Sequence, residues 1–459
     1  MRKKIGITFL FAAALAVILC LSASAATYSG KCGANVNWSL STSTGVLKIT
    51  GTGEMEDYEW YTSPWSDYSA DITEVTISSG VTRIGNNAFC GFCLTDMTIP
   101  EGVTSIGSNA FACSLLTSVI VPDSVVCIED SAFYSCYDLA SVKIGNGVTS
   151  IGDWAFHWCG SLMSVTIGNA VTRIGSWAFY DCDSLEEVNI PDSVTEIGTN
   201  PFGGCDNLGA ITVSGTNRKY HAQGNCLIDT AAKTLIAGCR NSVIPNDGSV
   251  TAIGDNAFDS CRGLTGVKIP ACVKSIGNQA FYGCWALTDV TIPEGVTKIG
   301  ALAFCGCYGL TEMVLPDSVT SIGDSAFSQC MDLKSIVIGR GVTTIGESVF
   351  MYCDFFTDVY YRGTESDWKK IEIGEDNDCL NSAVIHFNYS PAPEFLRGDF
   401  DGNETLTSAD AVFLLRNIML GDIYPIDQRG DVNGDGVINS ADAVYLLRHV
   451  MLGDIYPLY

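Results

Sequence analysis

Two acidic segments near the carboxyl terminus carry the most regularly spaced oxygen-bearing side chains of this chain. They read GDFDGNETLTSAD from Gly398 and GDVNGDGVINSAD from Gly430, and each runs into an apolar stretch. A hard cation such as Ca²⁺ is held by oxygens at fixed positions of a twelve-residue loop, with a backbone carbonyl at the seventh position. The spacing therefore predicts two calcium sites, each made by an EF-hand-like loop that is followed by a helix.

Both loops offer oxygens at the required positions. The predicted ligands are Asp399, Asp401, Asn403, the Thr405 carbonyl, Thr407 and Asp410 in the first copy, and Asp431, Asn433, Asp435, the Val437 carbonyl, Asn439 and Asp442 in the second. The sixth position is Gly436 in the second copy but Glu404 in the first. Because that turn favours a residue without a Cβ, we predict weaker binding by the first loop.

No arrangement of residues predicts a catalytic site. The histidines are scattered outside nucleophile–base motifs; they are His157, His221, His386 and His449. A set of acids recurs at a single repeat position and is predicted to lie in solvated turns; it includes Glu101, Asp123, Glu294 and Asp317. We expect no recessed pair of carboxylates for glycoside hydrolysis. The prediction is a protein without catalytic residues.

One aromatic patch stands out, consisting of Trp154, Trp158, Trp177 and Tyr180. Two of these, Trp154 and Trp177, occupy the same position of adjacent repeats. An exposed stripe of this kind could stack on a glycan or anchor a protein partner. The alternative, which we favour on general grounds, is partial burial on the convex side, because large aromatic side chains are usually mostly buried.

The patch and the acids must be positioned by a repeat of about 23 residues, seen from Ile276 as IGNQAFYGCWALTDVTIPEGVTK. A fixed period of this size is typical of a solenoid, in which stacked copies bury what one copy cannot. In this copy Val290 and Ile292 should point inward and Thr291 outward, as in a half-buried strand. Repeats start at Ile84, Ile106, Ile128, Ile151, Ile174, Ile197, Ile253, Ile276, Ile299, Ile322 and Ile345.

Composition shifts divide the chain. We predict a β-rich solenoid of about eleven units with β-rich caps, followed by a small all-α calcium-binding module. The predicted segments are a signal peptide (1–25), an N-terminal cap (26–80), the repeat array (81–360) with a hairpin insertion at about 215–245, a C-terminal cap (361–387), a proline-containing linker (388–397) and the calcium module (398–459).

The net charge and the apolar segments exclude some functions and indicate the location of the protein. The formal charge of −26 and the pI near 4.3 argue against nucleic-acid binding. The basic start Arg2-Lys3-Lys4, the apolar run and Ala23-Ser24-Ala25 predict export with cleavage after Ala25. Since no second apolar stretch of spanning length follows, we predict a secreted protein without a membrane span.

The cysteines follow the repeat rather than a disulfide pattern. Cys20 lies in the predicted signal peptide, which leaves 19 of the 20. Nine of them sit three residues after the repeat's Phe and should stack as a column of small buried groups; they are Cys136, Cys159, Cys182, Cys205, Cys261, Cys284, Cys307, Cys330 and Cys353. A metal ladder would need a second ligand type, which is lacking. Free core thiols are the favoured interpretation, and they imply a reducing habitat.

The repeat, IGxxAFxxC followed by LTxVxIPxxVT, resembles the BspA-like (treponemal) leucine-rich repeats of bacterial surface proteins. This resemblance implies adhesion or protein binding without fixing the ligand. The duplicated loop and helix with SAD and LLR resembles a type I dockerin. That family implies two Ca²⁺ ions and docking to the cohesin module of a scaffoldin, in a cellulosome-like assembly. The terminal Asp of each loop and the lack of a preceding helix also match dockerins.

Cohesin contacts in dockerins come from the tenth and eleventh loop positions and from the following helix. Here the resemblance implies Ser408, Ala409, Leu415, Arg416 and Leu420, and in the second copy Ser440, Ala441, Leu447, Arg448 and Leu452. The leucines could equally pack between the two helices. Because the copies match at all these positions, we predict that the module binds cohesin in two orientations related by a half-turn.

These inferences predict a secreted, non-catalytic binding protein whose array recognises a protein or, less favoured, a glycan. The dockerin would attach it through a scaffoldin at the cell surface. Two alternatives are a dockerin-borne polysaccharide-degrading enzyme and a protease inhibitor. The small polar strand face, with residues such as Thr166 and Thr291, favours a protein or peptide partner.

Overall fold

The computed structural model describes residues 26–390, 406–420, 432 and 438–452. The chain divides into two compact units, residues 1–387 and 388–459. The first is a β-solenoid of about 13 turns that resembles leucine-rich repeats, and a few helices lie near the carboxyl terminus. The predicted fold class is therefore confirmed. The predicted signal peptide and most of the two calcium loops lie outside the described residues.

One column of short parallel strands is built on the first isoleucine of each repeat. Ile151, for example, pairs with Ile174, and Ile174 with Ile197. Before the hairpin insertion the column contains β4 (Gly53–Glu54), β6 (Val81–Ile84), β7 (Ser105–Ile106), β9 (Cys127–Ile128), β11 (Ser150–Ile151), β13 (Arg173–Ile174) and β15 (Glu196–Ile197). After it come β20 (Ala252–Ile253), β22 (Ser275–Ile276), β24 (Lys298–Ile299), β26 (Ser321–Ile322), β28 (Thr344–Ile345) and β30 (Glu372–Ile373).

A second column of parallel strands forms the opposite side of each turn. In the strand Ser141–Ile144 the side chains alternate between exposed and buried, as the sequence pattern predicts. The strands are β8 (Ser118–Val121), β10 (Ser141–Ile144), β12 (Ser164–Thr166), β14 (Glu187–Ile190), β16 (Ala210–Val213), β21 (Gly266–Lys268), β23 (Asp289–Thr291), β25 (Glu312–Val314), β27 (Ser335–Ile338), β29 (Asp358–Tyr361) and β31 (Val384–His386). Of the predicted inward pair in the repeat that begins at Ile276, Ile292 is buried and Val290 is half-buried.

The core between the columns is a stack of phenylalanine rings. Phe133 and Phe156 are fully buried with centroids 5.1 Å apart and planes 2° from parallel. The cysteine column runs beside the rings, and eight of its nine thiols donate to a carbonyl of the previous turn, as Cys159 does to Phe133 at 3.3 Å. Eight of the nine column cysteines are buried, and all 19 cysteines of the described chain are free thiols. Cys261, directly after the insertion, is half-buried.

The predicted insertion is a three-stranded antiparallel element rather than a simple hairpin. It consists of β17 (Tyr220–Gln223), β18 (Cys226–Asp229) and β19 (Thr234–Ala237), and β19 then pairs in parallel with β20. This element divides the core, because Leu227 packs with the residues before it while Cys226 and Ile228 pack with those after it. The regular stacking of turns is therefore interrupted between Phe202 and Phe258.

Each end of the solenoid is closed by a different structure. At the amino end β1 (Thr27–Lys31), β2 (Val36–Ser41) and β3 (Val46–Gly51) are antiparallel, and β5 (Glu74–Ile77) adds in parallel. Trp65, just before a 3₁₀ helix (Ser66–Asp71), is fully buried against Phe89. At the other end lie two short helices, α1 (Glu365–Trp368) and α2 (Asp378–Ser382). Both ends thus cover core that would otherwise be exposed.

The second unit contains two helices of identical length, α3 (Ser408–Leu420) and α4 (Ser440–Leu452). Leu414 and Leu446 are fully buried and share a small core with Val432. Within the described residues, no helix has both the length and the apolar character needed to cross a bilayer.

Candidate functional site

Each helix of the second unit has, in its first turn, an aspartate that closes the loop before it. Asp410 and Asp442 are the third helical residues and are fully buried. The Thr407 amide donates to Asp410 Oδ2 at 2.9 Å, and the Asn439 amide to Asp442 Oδ2 at 2.8 Å, as in a capping box. The predicted last ligand of each loop is therefore fixed at a helix N-terminus in both copies.

Asp442 also ties the two ends of its loop together, because Oδ1 accepts the Val432 amide at 3.1 Å. A fully buried carboxylate that already gathers amides from both loop ends suits a cation-binding loop, since a bound ion would balance its charge. The other predicted ligands are Asp399, Asp401, Asn403, Thr405, Asp431, Asn433, Asp435 and Val437, which lie outside the described residues.

Seven of the ten positions that the dockerin resemblance implies as cohesin contacts have described side chains, and all seven are exposed. Leu415 and Leu447 are each 39 % exposed, whereas their neighbours Leu414 and Leu446 are fully buried. Core packing between the helices is carried by the residue before each of these leucines, and their role as cohesin contacts stays a prediction. Ser408, Ser440, Ala441, Arg416 and Arg448 are exposed too. The side chains of Ala409, Leu420 and Leu452 lie outside the described part of the module.

In the solenoid, each turn uses two left-handed backbone positions, and the aromatic patch occupies three of them. Most turns place Asn, Ser or Gly there, and of these Asn and Gly best tolerate positive φ. Trp154, Trp158 and Trp177 have φ of 55°, 60° and 52°. A left-handed residue with a bulky side chain costs roughly 1–2 kcal/mol. Three tryptophans in two adjacent turns therefore occupy positions that the fold itself disfavours for them.

Two ring stacks make up the patch. Trp154 and Trp177 stack at 5.4 Å and 4°. Tyr180 stacks on His157 at 5.1 Å, beside Trp158. Trp154 and Trp158 remain 39 % and 40 % exposed, and Trp177 and Tyr180 are half-buried. The favoured expectation of partial burial thus holds for two members, while the other two present large ring surfaces to solvent.

Beside the patch lies a charged cluster that the sequence analysis missed. This junction cluster consists of Asp181, Asp183, Asp206, Asp259 and Arg262, and it spans the interruption made by the insertion. The Arg262 guanidinium donates to Asp181 at 3.0 Å and to Asp206 at 3.5 Å, and lies 3.8 Å from Asp183. Trp158 Nε1 donates to Asp181 Oδ2 at 2.9 Å, which connects the cluster to the aromatic patch.

Asp259 is the recessed member of the cluster; the expectation concerned a recessed pair of carboxylates, and a single one does not contradict it. It is 7 % exposed and accepts hydrogen bonds from Asn200 and Ser260, each at 2.9 Å. Burial, followed by the charge of Asp181, raises the pKa of Asp259 to about 6. A sequence signal did exist, because Asp259 is the only acid to follow the repeat's Phe in any unit.

The other carboxylates of the cluster repel one another. Burial and the charges of Asp206 and Asp181 raise the pKa of Asp183 above its ordinary value. Burial also raises the pKa of Asp206, against the opposing effect of Arg262. With four carboxylates around one guanidinium, the junction cluster carries surplus negative charge when all are ionised.

The space at the junction is too small for a sugar substrate. The cavity lined by Asn200, Phe202 and Asp259 has a volume of about 10 Å³, which could hold at most one water molecule. Across the described part of the chain, no three His, Cys, Asp or Glu side chains are placed to share a metal ion. The cavity beside the recessed carboxylate therefore has no room for a sugar.

Asp259 should make the solenoid more stable in mild acid. Its folded pKa of about 6 lies above the ordinary value of 3.8, so the folded state takes up the proton first and is stabilised as pH falls through 6 towards 4. We expect Asp259→Asn to reduce the gain in unfolding free energy between pH 7.5 and 5 by about 1–2 kcal/mol. Denaturant unfolding at both pH values measures this. Asp354→Asn, at an exposed acid of the last turn, is the control, and an equal effect of both variants would refute the assignment.

Family models match both parts of the chain. The BspA type leucine rich repeat region matches residues 67–168, 128–232 and 236–357, and the dockerin type I domain matches residues 397–451. Among curated proteins none matches.

Solved structures of bacterial repeat proteins resemble the solenoid. A leucine rich cell surface protein from Faecalibacterium prausnitzii A2-165 is 30 % identical with a TM-score of 0.59, covering 75 % of this chain and 97 % of its own. A leucine-rich repeat protein from Eubacterium ventriosum is 24 % identical with a TM-score of 0.55, covering 82 % and 99 %. The pneumococcal vaccine antigen PcpA is 18 % identical with a TM-score of 0.60, covering 79 % and 99 %. The last two likenesses concern the fold alone.

Proposed function

Because the chain belongs to the BspA type leucine rich repeat family and ends in a dockerin type I domain, we propose that it is a secreted, non-catalytic binding protein. Dockerin type I domains bind calcium and dock onto cohesins in cellulosome-like assemblies. In this proposal the module takes two Ca²⁺ ions and docks onto a scaffoldin cohesin, while the solenoid presents a protein-binding surface outside the cell. Polysaccharide catabolism would then be the context of the assembly rather than an activity of this chain.

The exposure of Leu415 and Leu447 carries the docking part of this proposal. These two leucines are exposed at matching positions of the two helices, and those are positions that the dockerin resemblance implies as cohesin contacts. The neighbouring Arg416 and Arg448 are exposed and supply the charged contacts that interfaces favour. The predicted signal peptide supports export, and the residues that carry it are Arg2 to Ala25.

The enzyme alternative has one observation in its favour, the raised pKa of Asp259 beside Asp181. Against it, the adjoining cavity admits at most a water molecule. We expect the full chain to release no reducing sugar from cellulose, xylan or pectin, and to leave the activity of added peptidases unchanged. Turnover that is lost in Asp259→Asn would overturn the non-catalytic assignment, and peptidase inhibition would favour the inhibitor alternative.

A further inference from the structure

A niche lies on the solenoid surface where the aromatic patch meets the junction cluster. Tyr137, Gly160 and Asp183 occupy the same position of three successive turns, and their backbones are joined by bonds from Ser161 to Tyr137 and from Ser184 to Gly160, both 3.1 Å. Successive turns lie about 4.8 Å apart. The glycine therefore leaves a slot roughly one side chain wide between the tyrosine and the aspartate.

The slot over Gly160 is open. A Cβ built on Gly160 would meet only Asp183 Oδ2, at 3.9 Å, with no other atom within 4 Å. Gly160 does not have the positive φ that would explain a glycine by backbone conformation. The walls are exposed: Tyr137 is 57 % exposed, Trp158 is 40 % exposed, and the side chain of Asp183 is 56 % exposed.

Trp158 is held in place beside the slot at a cost to the backbone. Its left-handed φ of 60° is one that Ser135 and Ser260 adopt at the same position of other turns. Its indole N–H is fixed by Asp181, which Arg262 holds from the other side. An exposed ring that is kept rigid in an unfavourable conformation is best explained by a contact that uses it.

Charge indicates what enters the slot. Arg262 pairs with Asp181, Asp183 and Asp206, and the exposed Asp138 lies beside Tyr137 at the other wall of the slot. The surplus of carboxylates is relieved by a cation but not by a neutral sugar. Indole and phenol rings likewise attract a guanidinium or ammonium group. A partner with basic side chains therefore complements both the rings and the charge.

We propose that the slot over Gly160 receives a lysine or arginine side chain of a protein partner, with the cation against Asp183 and its stem along Trp158 and Tyr137. This assignment rests on the proposed protein-binding role of the solenoid and names the chemistry of the partner. It places the contact at the boundary between the aromatic patch and the junction cluster.

A peptide of six lysines alternating with glycines is the probe, with the same peptide acetylated on every lysine as its neutral counterpart. Calorimetry and tryptophan fluorescence with the full chain measure the binding. We expect Asp183→Asn and Gly160→Lys to weaken binding of the charged peptide about fivefold or more, the first by removing the ion pair and the second by filling the slot. Gly160→Ala, whose Cβ fits, should change binding less than about twofold, since it adds no charge and leaves the slot open.

Matched variants separate the slot from general attraction to an acidic protein. Asp354 occupies the position of Asp183 in the last turn, and Tyr352 that of Trp158 with a φ of 61°. Asp354→Asn and Tyr352→Ser should leave binding unchanged, whereas Trp158→Ser should weaken it. Equal losses in Asp183→Asn and Asp354→Asn, equal binding of the acetylated peptide, or stronger binding of cellohexaose than of the charged peptide would overturn the assignment. Cohesin docking, measured on the same variants, should be unchanged. A failure of the proposed contact in the slot is therefore distinguishable from a failure of the proposed function.

Discussion

Replacement of both Asp410 and Asp442 by alanine is expected to weaken cohesin docking by at least about 100-fold, equivalent to about 2.7 kcal/mol. Each carboxylate is buried at the start of a helix, where it holds the last turn of its loop. Its loss removes a helix cap and a predicted calcium ligand, so the module should lose its fold. A chelator should reproduce this result, because the folding free energy of a small metal module comes largely from the metal.

The measurement is calorimetry of the full chain with a cohesin, with and without chelator, accompanied by circular dichroism. The helical signal of the second unit should fall, whereas the thermal transition of the solenoid should stay in place because residues 1–387 form a separate compact unit. Asp442→Ala should be the more damaging single change, since the first loop carries Glu404 where the second has Gly436. Asp354→Ala in the solenoid is the control. Docking that persists unchanged in chelator would contradict the calcium requirement.

The solenoid was predictable because each structural turn corresponds to one repeat of about 23 residues in the sequence. A single alternation, such as Val290-Thr291-Ile292, states which side chains face the core, and a fixed period brings equal positions into register. The buried phenylalanine and cysteine columns follow from the same argument. Only the structure of the interruption could not be predicted from the repeat pattern. The sequence predicts a hairpin there but does not show that Asn200 meets Asp259 across 59 residues.

The junction cluster was missed for a related physical reason. Arg262 pairs with Asp181, which is 81 positions earlier, across the interruption between Phe202 and Phe258. The repeat pattern predicts contacts between equivalent positions of adjacent turns. It cannot predict a contact that forms only where the repeat is interrupted. The left-handed φ of Trp154 and Trp158 is also invisible in sequence letters until the backbone of the other turns is known. This backbone conformation favours a binding role over a packing role for these two tryptophan rings.

The final prediction concerns the two equivalent faces of the dockerin. Copy one can be disabled by Leu415→Glu with Arg416→Glu, and copy two by Leu447→Glu with Arg448→Glu. If the module docks in either of two orientations, disabling one copy removes one of two equal modes and halves the association constant, a change of about 0.4 kcal/mol. Disabling both copies should weaken docking by at least about 100-fold, because buried apolar and arginine contacts dominate such interfaces.

Calorimetry of the three variants with one cohesin distinguishes the possible outcomes. All four side chains are exposed, and the core is formed by Leu414 and Leu446, so the variants should keep their calcium-dependent helical signal. Val412→Glu with Val444→Glu, at exposed positions outside the implied contacts, is the matched control and should dock normally. A loss of 100-fold from one copy alone would mean a single orientation. Normal docking with both copies disabled would mean that cohesin contacts another face. Charge reversal at two arginines that become buried in the complex would weaken docking.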